Sequence, residues 1–331
     1  MKSGVLKRIL SAFLILLIAF GALMITPRAW SALNSEKPPV GYHFLSITFL
    51  AFKMGLEKMI DRRPAVPADI KEVKNIEYKY INGKSLQLDL YKSQDLNKTA
   101  PLLVFIHGGG WSGGERADYL VYLLAFAKKG YVTATVSYRL LKDAPYPACA
   151  EDITDAVQWL YKNGDNYGYD PNRIALIGGS AGAHLALLAA YEWKNVKTNT
   201  DSTFVCSNRH RIKAVVDIYG PTDLTTEFSR TNSTVISFLA HSYAQAPELF
   251  LEASPIRYLD KYDPPTMILH GTSDQTVPIG QSDLLKAKLD SLAIPNVYYK
   301  VPLWPHTMDV IERVNHFSEL KMTEFFKKYL N

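Results

Sequence analysis

The chain has 331 residues, of which 47% are hydrophobic and 21% charged, enough for one large globular domain with an N-terminal extension. Its formal net charge is +5, and its lysines and arginines are scattered rather than clustered, which excludes the basic footprint of a nucleic-acid-binding protein. Two cysteines, Cys149 and Cys206, are too few for a metal cluster of their own, and the sequence leaves open whether they form a disulfide.

The N-terminus is basic and continues into an uncharged apolar run. Lys2, Lys7 and Arg8 precede residues 9–25, which are rich in Leu, Ile and Phe and lie at the lower length limit of a transmembrane helix. Residues 1–26 are therefore either an uncleaved signal anchor or a cleaved signal peptide, and the poorly defined cleavage site favours the anchor. Basic residues before the run place the remaining chain outside the cytoplasm, so we expect a membrane-anchored or exported protein.

Residues 27–72 are predicted to form an amphipathic helix and a linker. The helix is expected over residues 44–60, where apolar side chains recur at spacings of four and three, namely at Leu45, Phe49, Phe52, Leu56 and Met59. Such a helix requires either a membrane surface or another apolar surface. The stretch from Asp61 to Pro64 predicts its end, and Pro64 and Pro67 indicate the linker.

Residues 73–331 show the pattern of an α/β domain. Alternating residues on both sides of Asn82-Gly83 predict an antiparallel hairpin. Short apolar runs predict buried parallel strands at 102–106, 132–136, 174–177, 214–218 and 267–269, with a further one at 297–301. Helices are predicted between and after them at 120–128, 151–161, 183–193, 281–292 and 310–329. This alternation is typical of a doubly wound, mostly parallel sheet, whose ligand site lies at the carboxyl ends of the strands.

The strand at 174–177 is followed by Gly178-Gly179-Ser180-Ala181-Gly182, which fits the pattern G-x-S-x-G. A strand, a tight turn and a helix are the context in which this pattern forms a nucleophile elbow and exposes the serine Oγ. By itself the pattern is also compatible with a glycine-rich turn or part of a phosphate loop.

A second glycine-rich segment strengthens the elbow interpretation. The strand at 102–106 ends in His107-Gly108-Gly109-Gly110-Trp111. An HGGG segment supplies backbone N–H groups to a developing oxyanion, and it accompanies the elbow in lipases and esterases. A flexible turn is the alternative interpretation.

Two further strand ends offer an acid and a base. Asp274 follows the strand at 267–269, and His306 follows the strand at 297–301. A serine nucleophile needs a base to take its proton, and the base needs a carboxylate that orients it. Ser180, Asp274 and His306 occur in the chain order of this fold, and Asp223 is the second candidate for the acid.

With these motifs the chain resembles the α/β-hydrolase superfamily, and more narrowly serine carboxylesterases of the hormone-sensitive-lipase and bacterial acetyl/feruloyl-esterase type. The resemblance runs from about Tyr78 to the C-terminus. It departs from many relatives at Gly179, where they have glutamate or tryptophan, and at Leu303-Trp304-Pro305, where they are glycine-rich. Besides the segments given above, it rests on Ser137-Tyr138-Arg139-Leu140, Pro145-Tyr146-Pro147, Tyr169-Asp170-Pro171-Asn172-Arg173-Ile174 and Tyr219-Gly220-Pro221-Thr222-Asp223-Leu224.

The resemblance implies an ester hydrolase that acts on short-to-medium acyl esters. Ser180 would be the nucleophile, His306 the base and Asp274 the acid, with the N–H groups of Gly109, Gly110 and Ala181 as the oxyanion hole. It implies no cofactor and no metal. A serine peptidase or an acyltransferase with the same triad is the alternative within enzymes, and an inactive hydrolase-like binding protein is the alternative outside them.

Four other histidines are interpreted as structural. His107 and His270 each close a strand and are expected to bond to the backbone, His184 is expected to pack in the elbow helix, and His316 is expected to face solvent.

The resemblance also implies a small helical cap over the acyl pocket. One part would be the insertion 225–253, and the other the stripe Leu45-Phe49-Phe52-Leu56 packed over the strand ends. The competing hypothesis places that stripe in the membrane interface beside residues 9–25, and the resemblance favours the cap.

Overall fold

The computed structural model describes residues 2–96, 99–191 and 212–330. Cys206 lies outside these residues. The described chain folds around one sheet whose strands are β1 Ile70–Ile81, β2 Lys84–Ser93, β3 Ala100–Ile106, β4 Val132–Val136, β5 Tyr169–Gly179, β6 Ile212–Ile218, β7 Thr266–Gly271 and β8 Asn296–Val301.

Helices connect and cover these strands. They are α1 Lys2–Leu33, α2 Leu45–Lys53, α3 Leu120–Lys128, α4 Ala148–Lys162, α5 Gly164–Tyr167, α6 Ala181–Tyr191, α7 Glu227–Thr231, α8 Ser233–Leu239, α9 Pro247–Glu252, α10 Gly280–Ser291 and α11 Glu312–Tyr329. Short 3₁₀ turns occur at Arg116–Tyr119, Pro255–Tyr258 and Met308–Val310.

The spatial order of the sheet is β1-β2-β4-β3-β5-β6-β7-β8. Strand β2 runs antiparallel to β1 and β4, and every other neighbouring pair is parallel. The hairpin turn at Asn82-Gly83 is confirmed, and both of its residues have positive φ. The fold is therefore the α/β-hydrolase sheet that the sequence predicts, and the carboxyl ends of β3, β5, β7 and β8 lie at one edge.

Helices cover both faces of the sheet because its central strands are apolar on both faces. In β3, Leu102, Val104 and Ile106 pack towards α4, α6 and α10, whereas Leu103 and Phe105 pack towards α3 and α11. Each fully buried Leu or Phe of this kind contributes about 1.5–3 kcal/mol to the stability of the fold. The two apolar layers fix the strand ends as a rigid frame for the loops that follow them.

The insertion between β6 and β7 forms the small helical part α7, α8 and α9. Phe238 and Phe250 from this insertion are fully buried against the layer that contains α4 and α6. The insertion is thus attached to the main core by its own apolar side chains.

The N-terminal segment differs from the prediction in the length of both helices. Helix α1 continues past the apolar run to Leu33, and among the described residues it is the one helix long and apolar enough to cross a membrane. The predicted helix over 44–60 is wrong in its second half, since α2 ends at Lys53. Gly55 takes a left-handed conformation there (φ 69°), and Met59 pairs in an isolated bridge with Ile311.

Helix α2 packs against α1 on one side and, through Phe52, against the layer that contains α3 and α11. Ala51 forms a small apolar cluster with Met24 of α1 and with Tyr42. The proposed division of the chain into segments 1–26, 27–72 and 73–331 stays a prediction.

Candidate active site

Ser180 lies on a strained turn between β5 and α6. Its φ is 55°, a left-handed value that is uncommon for a residue with a side chain. The turn is possible only because glycines flank it. A Cβ on Gly178 would come within 2.3 Å of the Gly182 carbonyl, and a Cβ on Gly182 within 2.1 Å of the Ile106 oxygen.

A chain of hydrogen bonds joins the three residues that the sequence selected. The Nε2 atom of His306 lies 2.9 Å from Oγ of Ser180, and its Nδ1 atom lies 2.6 Å from Oδ2 of Asp274. Since a carboxylate only accepts, Nδ1 carries the hydrogen and Nε2 is free to accept the serine proton. The structure therefore brings Ser180, His306 and Asp274 into the relative positions of a nucleophile, a base and an orienting acid.

The carboxylate of Asp274 is buried, accepts three hydrogen bonds and contacts a further histidine. Its Oδ1 atom accepts from the N–H groups of Thr276 and Val277, each at 2.9 Å. Its Oδ2 atom accepts from His306 and lies 3.2 Å from Nε2 of His270. Burial alone would raise the pKa of Asp274, but the polar contacts with His270 and His306 outweigh it and hold the pKa below its usual range. Asp274 is therefore ionised and acts as an acceptor.

The HGGG loop faces the elbow across a close backbone contact. A Cβ on Gly108 would lie 2.6 Å from the Gly179 oxygen, while Gly109 and Gly110 have φ values of 108° and 57°. No acceptor among the described residues takes a hydrogen bond from the N–H of Gly109 or Gly110. Together with Ala181, both glycines line the cavity that contains Ser180.

This cavity has a volume of about 950 Å³ and opens between the insertion and the linker after α2. The insertion contributes Phe228, Asn232, Thr234 and Val235 to its wall. On the other side lie three residues of the linker, Met59, Arg62 and Arg63. The two arginines pair with Asp118 and Glu115, so this side of the cavity is charged, whereas the insertion side is more apolar.

The part of the cap that was expected from α2 is not present. Phe49 is 64% exposed, and Phe52 and Leu56 pack against other clusters and do not line the cavity. The side chain of Leu45 is outside the described residues. The reason is the early end of α2, which leaves the linker, rather than the helix, beside the strand ends.

The BD-FAE family model matches residues 88–289 of the chain. The chain belongs to the BD-FAE family of α/β-hydrolases. A similar curated protein is the esterase LipQ of Mycobacterium tuberculosis, which is 32% identical over 70% of this chain and 56% of its own length. The chain thus spans about half the length of the curated relatives it matches.

Solved structures show the same fold. A truncated carbohydrate esterase from gut microbiota superposes with a TM-score of 0.68 at 24% identity, over 80% of this chain and 98% of that one. A bifunctional GH43-CE protein from Bacteroides eggerthii superposes with a TM-score of 0.67 at 26% identity, over 78% of this chain and 38% of that one.

In this BD-FAE chain the four histidines that were interpreted as structural lie in the expected surroundings. His107 lies 2.9 Å from the Gly108 oxygen and stacks on Tyr138, and its burial lowers its pKa. His184 bonds to the Ala253 oxygen at 2.8 Å, and burial lowers its pKa to about 4. His316 is exposed. His270 bonds to the backbone of Val277, as predicted, but it also contacts Asp274.

Asp223, the second candidate for the acid, bonds locally. Its Oδ1 atom accepts from the backbone N–H and the hydroxyl of Thr225, at 2.8 and 2.6 Å. Within residues 2–96, 99–191 and 212–330, no group of three or more His, Cys, Asp or Glu side chains is arranged to hold a metal ion.

Sequence reasoning missed a buried pair beside the base. The ring of Tyr219 lies 4.5 Å from the ring of His306, and its hydroxyl donates to the buried carboxylate of Asp309. Burial raises the pKa of both Tyr219 and Asp309. The only sequence signal was the position of Tyr219 at the end of β6. Tyr219 begins one of the segments on which the family resemblance rests, but sequence reasoning assigned it no function.

Proposed function

We propose that this chain is a serine-dependent carboxylic-ester hydrolase. The observation that carries the proposal is the continuous hydrogen-bonded series from Ser180 through His306 to Asp274. Family membership and the printed name of the relative LipQ, an esterase, support the ester as the bond that is cleaved.

In the first half of the reaction, Oγ of Ser180 attacks the ester carbonyl carbon while Nε2 of His306 takes the hydroxyl proton. The imidazolium that forms is stabilised by Asp274, which already accepts from Nδ1. The carbonyl oxygen becomes an oxyanion and is bound by the N–H groups of Gly109, Gly110 and Ala181. As the tetrahedral intermediate collapses, His306 returns the proton to the departing alcohol and an acyl-enzyme remains.

In the second half, water enters in place of the alcohol. His306 takes a proton from this water as its oxygen attacks the acyl carbon, and the second tetrahedral intermediate releases the carboxylic acid. The proton returns to Oγ of Ser180, so the triad is regenerated. The positive end of α6, whose first residue is Ala181, also favours the negative charge in both steps.

The substrate class that fits the cavity is an ester with a short-to-medium acyl chain. Phe228 and Val235 offer apolar surface for the acyl chain on the insertion side. Arg62 and Arg63, paired with carboxylates, offer polar contacts for the alcohol part on the linker side.

The apolar N-terminal helix supports the proposal that this activity is located at a membrane. We infer that α1 anchors the chain, with the α/β domain outside the cytoplasm, because Lys2, Lys7 and Arg8 precede the apolar run. Phe44 and Phe49 are 65% and 64% exposed, so they are available to the interface of the same bilayer. A reporter fused to the N-terminus should be cytoplasmic and one fused to the C-terminus outside, and full-length protein in the soluble cytosol would contradict the anchor.

A substrate screen tests the activity. The purified chain in detergent should hydrolyse p-nitrophenyl esters, with the highest kcat/KM between acetate and hexanoate. Hydrolysis of peptide anilides in preference to esters would favour a peptidase, and transfer of the acyl group to an added alcohol in preference to water would favour an acyltransferase. A folded protein with no activity on any of these substrates would favour an inactive binding protein.

A further inference from the structure

Trp304 lies two residues before His306 and is 1% exposed. Its indole Nε1 donates a hydrogen bond of 3.0 Å to the carbonyl oxygen of Pro39, which lies in the N-terminal segment. Trp304 is not among the residues that line the cavity around Ser180. Trp304 therefore links the N-terminal segment to the loop that carries His306.

The backbone of Trp304 also contacts the loop that carries Asp274. Its carbonyl oxygen accepts from the N–H of Ser273 at 3.0 Å, and a Cβ on Gly271 would come within 2.2 Å of the same oxygen. Leu303 donates through its N–H to Oγ1 of Thr272 at 2.8 Å. A shift of Trp304 would therefore displace the base and the acid together.

The loop around His306 is strained on both sides. Leu303 has a φ of 62° and Thr307 a φ of 57°, left-handed values for residues that carry side chains. Such conformations persist only where the surrounding structure imposes them. The N-terminal segment supplies part of those surroundings, since the N–H of Gly41 bonds to the Pro302 oxygen at 2.7 Å and Gly41 packs against the Leu303 carbonyl.

Arg313 attaches the same indole to α1 and to the segment after α2. Its guanidinium carbon lies 4.8 Å from the centre of the Trp304 ring. Its Nε atom donates to Oε1 of Glu57 at 2.9 Å, and its Nη1 atom donates to Oγ of Ser31 at 2.7 Å. Glu57 is only 4% exposed, so this ion pair is largely shielded from water.

We propose that residues 27–57 act as a brace that positions His306 and Asp274. Gly41 within the brace, and Trp304 and Arg313 that contact it from the catalytic domain, are the positioning residues. The inference rests on the proposed catalytic roles of His306 and Asp274, and it goes beyond them by making the membrane-proximal segment part of the active enzyme. A chain without residues 27–57 would keep its sheet but would have a much lower kcat.

Paired alanine substitutions in the N-terminal segment test the brace in the full-length protein. In Gly41→Ala the added Cβ would lie 2.6 Å from the Leu303 oxygen, whereas in Gly21→Ala it would meet nothing within 4 Å. Since a misplacement of about 1 Å can cost on the order of 10²-fold in rate, we expect Gly41→Ala to lower kcat by at least tenfold. The KM for p-nitrophenyl acetate should stay within about twofold of the wild-type value, because Gly41 lies outside the cavity and the variant displaces His306 and Asp274 rather than the substrate.

A second pair of variants approaches the brace from the loop. Trp304→Phe removes the Nε1 hydrogen bond to Pro39 and should also lower kcat at unchanged KM, whereas Trp159→Phe, on α4, should not. Unfolding midpoints of all four variants are measured alongside, and if Gly41→Ala does not fold, Trp304→Phe decides by the same criterion. Wild-type activity with kcat values of Gly41→Ala and Trp304→Phe equal to those of their controls would overturn the brace. An inactive wild-type protein would instead contradict the proposed function.

Discussion

The Nε2 atom of His270 lies 3.2 Å from Oδ2 of Asp274 and 2.8 Å from the carbonyl oxygen of Val277. Because a carbonyl oxygen only accepts, this nitrogen carries the hydrogen, and Nδ1 then accepts from the hydroxyl of Ser282 at 2.7 Å. His270 thus donates to the backbone of Val277 and holds the same polar N–H beside the carboxylate that orients His306. The contact explains how a buried carboxylate stays ionised beside the base.

Replacement of His270 should therefore lower activity without touching the substrate. We expect His270→Leu to reduce kcat by about 10- to 100-fold, because the charged carboxylate of Asp274 loses its polar contact with the imidazole. His270→Gln, whose side-chain amide can still donate, should recover part of this loss. Steady-state kinetics of both variants measure the difference. Equal activity of His270→Leu and wild type would show that His270 does not support Asp274.

Exchange of the two candidate acids for their amides separates their roles. Asp274→Asn should lower kcat by about 10⁴-fold, because the amide no longer fixes the tautomer or stabilises the imidazolium. Asp223→Asn should have a small effect, since Asp223 bonds to Thr225 rather than to His306. A larger loss in Asp223→Asn than in Asp274→Asn, with both proteins folded, would contradict the assignment.

The buried carboxyl group of Asp217 should make the stability of the fold depend on pH. Burial raises its pKa from 3.8 to about 7, and its Oδ1 atom accepts from the N–H of Gly220 at 2.7 Å. Between these two pKa values the folded state holds a proton that the unfolded state has lost, so stability falls as the pH rises through this window.

Asp217→Asn keeps an acceptor for Gly220 and cannot ionise, so its stability relative to wild type should increase from pH 4 to pH 7. Urea unfolding of both proteins at several pH values measures this difference. A constant difference across that range would show that the pKa of Asp217 is the same in the folded and the unfolded state.

The origin of acyl specificity can be tested with two phenylalanines. Phe228 lines the cavity, whereas Phe49 of α2 is mostly exposed. Phe228→Ala removes apolar surface that a longer acyl chain contacts and should therefore lower the kcat/KM for hexanoate relative to acetate, whereas Phe49→Ala should leave this ratio unchanged. A change of the ratio in Phe49→Ala alone would restore the cap hypothesis for α2.

The sequence predicted the sheet well because its central strands are apolar on both faces and short. The predicted strand at 132–136 and the helix at 120–128 coincide with β4 and α3. The end of α2 could not be predicted from its stripe, because it depends on the conformation of Gly55 and on the pairing of Met59 with Ile311 near the C-terminus.

The same distinction applies to the candidate site. Ser180, Asp274 and His306 could be selected because each follows a strand, and strand ends meet at one edge. Tyr219 with Asp309, His270 with Asp274, and Trp304 with Pro39 are tertiary contacts, the last between residues 265 positions apart. No period or motif encodes such contacts, so they became visible only in the folded chain.

The role of Ser180 as the nucleophile is tested most directly by intact-mass spectrometry after treatment with a fluorophosphonate. Wild type should gain one adduct that maps to Ser180, and the exposed neighbour variant Ser112→Ala should react in the same way. Ser180→Ala should remain folded, gain no adduct, and lose about 10⁴-fold or more in kcat. A folded Ser180→Ala protein that is labelled as fully as wild type would contradict the account.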